Sequence, residues 1–217
     1  MERLLVLLGL VRYVIVALFS LGMPLRSLDS LNPEQIGQCF IKIMQGFGCK
    51  VVAYDAFPSS DVATWANVTY VSLETLFATS HIISIHCPLK AETTHLIDRP
   101  ALEKMKKGVI IINTSRGAIV DANSLIWGLK SAIVGGAGLD VYEQEREYFF
   151  RDRSEDVTIT DDTLARLMTF SNVLVTSHQA FLTTEALCAI ASTTVNNMKE
   201  FLVDGKNGKD LTNAVSQ

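Results

Sequence analysis

Between residues 49 and 176 short apolar runs alternate with segments of helical periodicity, and few folds accommodate that rhythm. Residues 49–55 (CKVVAYD), 81–86 (HIISIH), 109–113 (VIIIN), 135–141 (GGAGLDV) and 172–176 (NVLVT) have the length of strands. In 109–112 the apolar residues run without alternation, as expected of a parallel strand covered on both faces. Between these runs lie amphipathic helices at 34–46, 73–78, 99–106 and 122–131, and a long helix closes the chain at 183–203. The first carries Ile36, Cys39, Phe40, Ile43 and Met44 at helical spacing, with Gly46 or Gly48 as its stop. The third ends in Lys104, Lys106 and Lys107, favourable at the negative end of a helix dipole, and Gly108 follows as a stop. The last would turn Ala186, Leu187, Ile190, Ala191, Thr194, Met198 and Leu202 inward. Strands alternating with helices specify an α/β fold: a doubly wound parallel sheet with right-handed crossovers.

Composition removes several classes of function. The net charge of −4, with both signs interspersed, leaves no basic patch for nucleic acid. Cys39, Cys49, Cys87 and Cys188 are far apart and form no C-x-x-C pair, and the four histidines have no metal-ligand spacing. No metal site is expected, and the thiols read as buried groups in a reducing compartment, which favours the cytoplasm. A mean hydropathy of +0.26 is high for a soluble chain. Part of it comes from residues 4–22 (LLVLLGLVRYVIVALFSLG), close to the ~20 residues that span a bilayer. Three readings of this run stand open: a membrane anchor or signal segment, a soluble helix packed on the following domain, or a sequence not selected to fold. Arg12 counts against the anchor, since an arginine at mid-span costs about 2.5–3.5 kcal/mol on insertion scales. The run is also longer than the roughly 7–15 residues of a cleaved signal core.

The strand at 109–113 breaks at once into Asn113, Thr114, Ser115, Arg116 and Gly117. A guanidinium just past the carboxyl end of such a strand sits where open α/β sheets bind ligands. The same arginine would also fit an ordinary surface loop between strand and helix. The small residues of 135–138 imply close packing or a ligand against the backbone.

Four further blocks join the first: GLDVYE from Gly138 with Glu145 beyond it, HQAFLT from His178, HCPL from His86 and GFGCKVVAYD from Gly46. With NTSRGAIVD from Asn113, they resemble the D-isomer-specific 2-hydroxyacid dehydrogenases, nearest to the fermentative D-lactate dehydrogenase branch. The resemblance covers residues 36–215. It implies an NAD-binding Rossmann-type domain at 32–182 and a C-terminal helix and tail at 183–217 that would return to a substrate domain. Residues 1–31, an apolar segment and linker, fall outside it. The implied activity is NAD-dependent hydride transfer between D-lactate and pyruvate or a similar 2-oxo acid, by a homodimer in the family.

The residue types suit that chemistry. Arg116 can hold a carboxylate and polarise a carbonyl with a bidentate fork that lysine lacks. His178 can give a proton near neutral pH, and Glu145 can orient and stabilise the imidazolium. These three are the expected catalytic residues. Asp55 ends the second strand of the nucleotide fold, where a carboxylate accepts the ribose hydroxyls and repels a 2′-phosphate, favouring NAD over NADP. The resemblance adds Gln35, Ile36, Gly37, Cys87, Pro88, Thr93, Thr114, Ser115, Arg116 and Asp140 as cofactor-binding residues. Phe149, Phe150 and Phe181 would either shape a small apolar substrate pocket or pack in the core.

Two departures qualify the resemblance. The G-x-G-x-x-G fingerprint aligns onto Asn32, Pro33, Glu34, Gln35, Ile36 and Gly37, keeping only the last glycine, and Glu34 brings a charge where a diphosphate should lie. Residues 26–31 (RSLDSL), where the preceding strand is expected, are not apolar, so first strand and glycine loop read as degraded. The substrate domain that precedes the nucleotide domain in the family reads as largely missing. The alternative function is therefore a catalytically inactive, truncated remnant acting as a nucleotide-binding or dimerising module.

Overall fold

The computed structural model describes residues 13–17, 33–149 and 159–214. Strands β1 (Tyr13–Ala17), β2 (Lys50–Tyr54), β3 (Val68–Tyr70), β4 (Ile82–Ile85), β5 (Val109–Asn113), β6 (Val134–Leu139) and β7 (Val173–Val175) form one sheet in the order β3-β2-β1-β4-β5-β6-β7. Every pairing is parallel. The helices are α1 (Pro33–Gly46), α2 (Ser60–Ala63), α3 (Leu73–Thr79), α4 (Arg99–Glu103), α5 (Ala122–Lys130), α6 (Glu145–Tyr148), α7 (Asp162–Met168) and α8 (Thr184–Leu202). From β1 the chain winds outward to β3, then returns to the other side of β1 as β4. The switch point between β1 and β4 is where such sheets open a crevice at their carboxyl ends.

The doubly wound parallel sheet is as expected, but its central strand is not. Residues 26–31 lie outside the described residues, and the middle of the sheet is held by Tyr13–Ala17, in register with Val51 to Tyr54 on one side and Ile83 to Ile85 on the other. The run read as an anchor or a packed helix is thus an extended strand through its middle, and no helix among the described residues is long and apolar enough to cross a membrane. Its Tyr-Val-Ile-Val sequence is rich in strand-forming residues. The length of the apolar run, rather than its composition, suggested a helix. Residues 18–32 separate β1 from α1 and lie outside the described residues.

Side chains explain the helix starts. Ser59, Ser72, Asp98, Asp121 and Asp161 each accept a backbone N–H one turn ahead and so cap α2 to α5 and α7. Gly108, at φ +84°, makes the left-handed turn from α4 into β5. Alternate residues of the strands feed two cores. Ile83, Ile85, Val109 and Ile111 join Leu76, Leu102, Leu125 and Leu129 on one face. On the other, Val51 and Ile82 meet Ile41 and Met44 of α1, with Ile110 and Ile112 only partly covered. Full burial of one such side chain stabilises by roughly 1.5–3 kcal/mol. Gly138 serves packing, because a Cβ there would press on the Ile112 side chain at 3.0 Å.

The chain divides into two compact units, Met1–Ser177 and His178–Gln217. The second is α8 with a short tail. Thr183 caps the helix, and Glu200 accepts from the Thr212 backbone and from Lys206, folding the tail back. No residue of α8 is buried, so the stripe expected to face inward is open: Leu187, Ile190, Met198 and Leu202 are all exposed.

Candidate active site

The carboxyl end of β5 is shaped by Asn113. Its side chain is 1% exposed, donates from Nδ2 to the Arg116 carbonyl at 2.9 Å and accepts the Ser115 N–H at 3.0 Å. That clasp bends residues 113–116 into a fixed turn and projects Arg116 outward. Ser115, itself buried, donates from Oγ to the Cys87 carbonyl and so ties the turn to the end of β4. The Arg116 guanidinium folds onto its own loop, with Nη1 donating to the Ser115 carbonyl at 2.7 Å. Asn113 stood in the sequence block without a role, since an Asx clasp is invisible until the turn closes.

Arg116 lines a cavity of about 660 Å³ whose walls are residues 88–89, 115–118 and 142–147. Glu145, at the start of α6, lines the same cavity, so two of the three expected catalytic residues share it. Glu145 Oε2 accepts the Tyr142 N–H at 3.1 Å, and the Glu145 N–H returns to the Tyr142 carbonyl at 3.2 Å. Gly117 lets two of the walls meet: a Cβ there would lie 2.1 Å from the Tyr142 carbonyl carbon. His178, the third, is the first residue of the second unit and is half-buried, with φ +55°. Phe149, partly buried, packs against the main core with its ring 6.4 Å from that of Tyr142. Phe150 lies outside the described residues, and Phe181 is exposed.

The expected cofactor residues fall along one edge of the sheet. Asp55 follows β2, Cys87 and Pro88 follow β4, Thr114, Ser115 and Arg116 follow β5, and Asp140 follows β6. In sheet order these strands lie to both sides of β1, so the groups stand at carboxyl ends across the switch point, where open α/β sheets bind ligands. Asp55 is buried and its Oδ1 accepts the Phe57 N–H at 2.8 Å, so it also caps the turn after β2. Asp140 is buried, with Oδ1 accepting from the Thr176 hydroxyl and its N–H bonded to the Asn113 carbonyl. Gln35, Ile36 and Gly37 lie in the first turns of α1. The chemistry of these residues fits NAD. Thr93 lies in the loop that follows β4. Its hydroxyl is spent on the Pro88 carbonyl at 2.8 Å and the Lys90 N–H at 2.8 Å, holding the 88–93 turn together.

Two titratable groups beside this edge are kept neutral. Burial pushes the His86 imidazole down to about 4, where it bonds the Ser84 hydroxyl at 2.9 Å and packs on the Phe40 ring at 5.2 Å. Burial pushes the Cys87 thiol up to about 12, which leaves it without thiolate reactivity at neutral pH. On the cavity wall itself Glu143 Oε1 meets His95 Nε2 at 2.9 Å, an exposed pair near the α5 cap Asp121.

The family model described as D-isomer specific 2-hydroxyacid dehydrogenase, NAD binding domain, matches residues 34–180. The D-lactate dehydrogenase of Escherichia coli K12 is 49% identical over 168 residues, covering 77% of this chain and 50% of that protein. A solved D-lactate dehydrogenase from Treponema pallidum superposes with a TM-score of 0.78 at 31% identity, over 92% of this chain and 56% of that one. The NAD-complexed 2-hydroxyacid dehydrogenase of Lactobacillus delbrueckii ssp. bulgaricus superposes with a TM-score of 0.73 at 27% identity, over 92% and 56%. The chain thus spans about half the length of the relatives it matches. With its matched NAD-binding domain, the chain belongs to the D-isomer-specific 2-hydroxyacid dehydrogenase family.

Proposed function

We propose that the chain carries the NAD-dependent half of a D-2-hydroxyacid dehydrogenase acting on D-lactate and pyruvate or a similar small 2-oxo acid. One observation carries this reading above the others: Arg116 and Glu145 face one cavity at the carboxyl edge of the sheet, beside the strand ends that suit NAD. NADH, when bound, supplies a hydride to the carbonyl carbon of the 2-oxo acid. Arg116 leaves the Ser115 carbonyl and grips the substrate carboxylate through two parallel N–H bonds, which fixes the carbonyl face presented. His178 gives its proton to the carbonyl oxygen as charge develops there. Glu145 is the carboxylate assigned to stabilise that imidazolium. Asp55, Cys87, Pro88, Thr114, Ser115 and Asp140 hold the dinucleotide along the edge.

The test is NADH oxidation followed at saturating pyruvate with the full chain. Turnover is expected; Arg116→Lys should lower kcat/KM by about a hundredfold, because a point charge cannot replace the fork. His178→Ala should abolish the reaction. Absence of turnover in the unmodified chain, or an unchanged rate in His178→Ala, would contradict the assignment.

A further inference from the structure

The wall that bears Glu145 is pinned from behind by a buried hydrogen bond. Tyr142 is 5% exposed, and its phenol donates to Asp161 Oδ2 at 2.8 Å. Asp161 is fully engaged: its Oδ1 accepts the Thr163 and Leu164 N–H groups at 2.9 and 3.0 Å, capping α7. A phenylalanine would fill the same core volume without a buried hydroxyl to satisfy, so the oxygen supplies direction rather than packing. What it directs is visible in the backbone. Tyr142 exchanges reciprocal bonds with Glu145, and its carbonyl lies against Gly117, next to Arg116. One residue thus links the α7 cap, the Glu145 carboxylate and the Arg116 loop.

We propose that the Tyr142–Asp161 hydrogen bond positions the reacting end of the cavity, holding the 142–145 turn so that Glu145 keeps its place in the cavity it shares with Arg116. Tyr142 and Asp161 are positioning residues on this account; neither is required to touch the substrate. The inference rests on the function proposed above. Burial and the Asp161 carboxylate both hold the phenol in its protonated, donating form across the range where such an enzyme would work. Buried hydrogen bonds of this kind fix geometry at a cost paid in desolvation, which suits a site needing tolerance below an ångström.

The test is hydrogen exchange of the full chain, with Tyr142→Phe compared to the unmodified protein. The Tyr142 and Glu145 amides should exchange at least about tenfold faster, while the Thr163 and Leu164 amides at the α7 cap hold their protection. Asp161→Asn should rescue the turn, since its amide oxygen still accepts at the cap and its NH2 can donate to the phenol. Asp161→Ala should loosen turn and cap together. In turnover, Tyr142→Phe should lower kcat at least about fivefold and leave the KM for NADH unchanged. Unchanged exchange at Tyr142 and Glu145, loosening of the cap in Tyr142→Phe, or faster exchange with an unchanged kcat would each overturn the proposal. A protein without turnover contradicts the proposed function alone, and the exchange pattern still decides the pinning.

Discussion

At the scale of single residues, His86 makes the clearest demand on solution behaviour. Its imidazole titrates at about 4 in the folded chain against 6.5 for the free group, with burial as the cause. A depressed histidine pKa means the unfolded chain binds the extra proton first. The stability it contributes is present above pH 6.5 and is lost as pH falls toward 4. The full loss amounts to about 3 kcal/mol. Urea unfolding between pH 7 and pH 5 should show a falling midpoint, and His86→Asn should flatten that slope. An unaltered slope in the variant would assign it to other groups. Arg116, Glu145 and His178 are candidates that the motif blocks mark in the sequence, where His86 enters only as the end of a strand and the first residue of HCPL. Asn113, Tyr142 and Asp161 could not be given roles, since their bonds cross turns and sequence distances that no periodicity records.

At the scale of elements, β5 is read from its apolar run residue for residue, and β2, β4, β6 and β7 to within a residue or two. The misses have physical causes. α2, β3 and α6 have only three or four residues, too few for a period to register. β1 failed for the opposite reason: an apolar run much longer than a strand surrounds it, and length argued for a helix. Its identity rests on ladder partners on both sides, contributed by residues some 35 and 70 positions away. Proline in a central parallel strand removes a ladder N–H and is not tolerated. Ile15→Pro should therefore destabilise the first unit by at least about 3 kcal/mol in chemical denaturation. If residues 13–17 lay outside the sheet, the unfolding midpoint would not move.

At the scale of the molecule, the sheet gathers at one edge what the sequence scatters from Asp55 to Asp140. The order β2-β1-β4-β5-β6 brings the four loops after β2, β4, β5 and β6 to one edge, so a ligand spanning the switch point meets them in turn. Sequence patterning gave the alternation of elements but not this ordering, which follows from strand pairings. The exposed apolar stripe of α8 shows the same limit: amphipathic spacing marks a face for burial without naming what covers it. We infer that this edge is an NAD site with Asp55 at its ribose end. Fluorescence titration of the full chain with NADH and with NADPH tests it most directly. NADH should bind, with NADPH at least about tenfold weaker, and Asp55→Ala should narrow that gap. No NADH binding, or equal affinity for the two nucleotides in the unmodified chain, would contradict it.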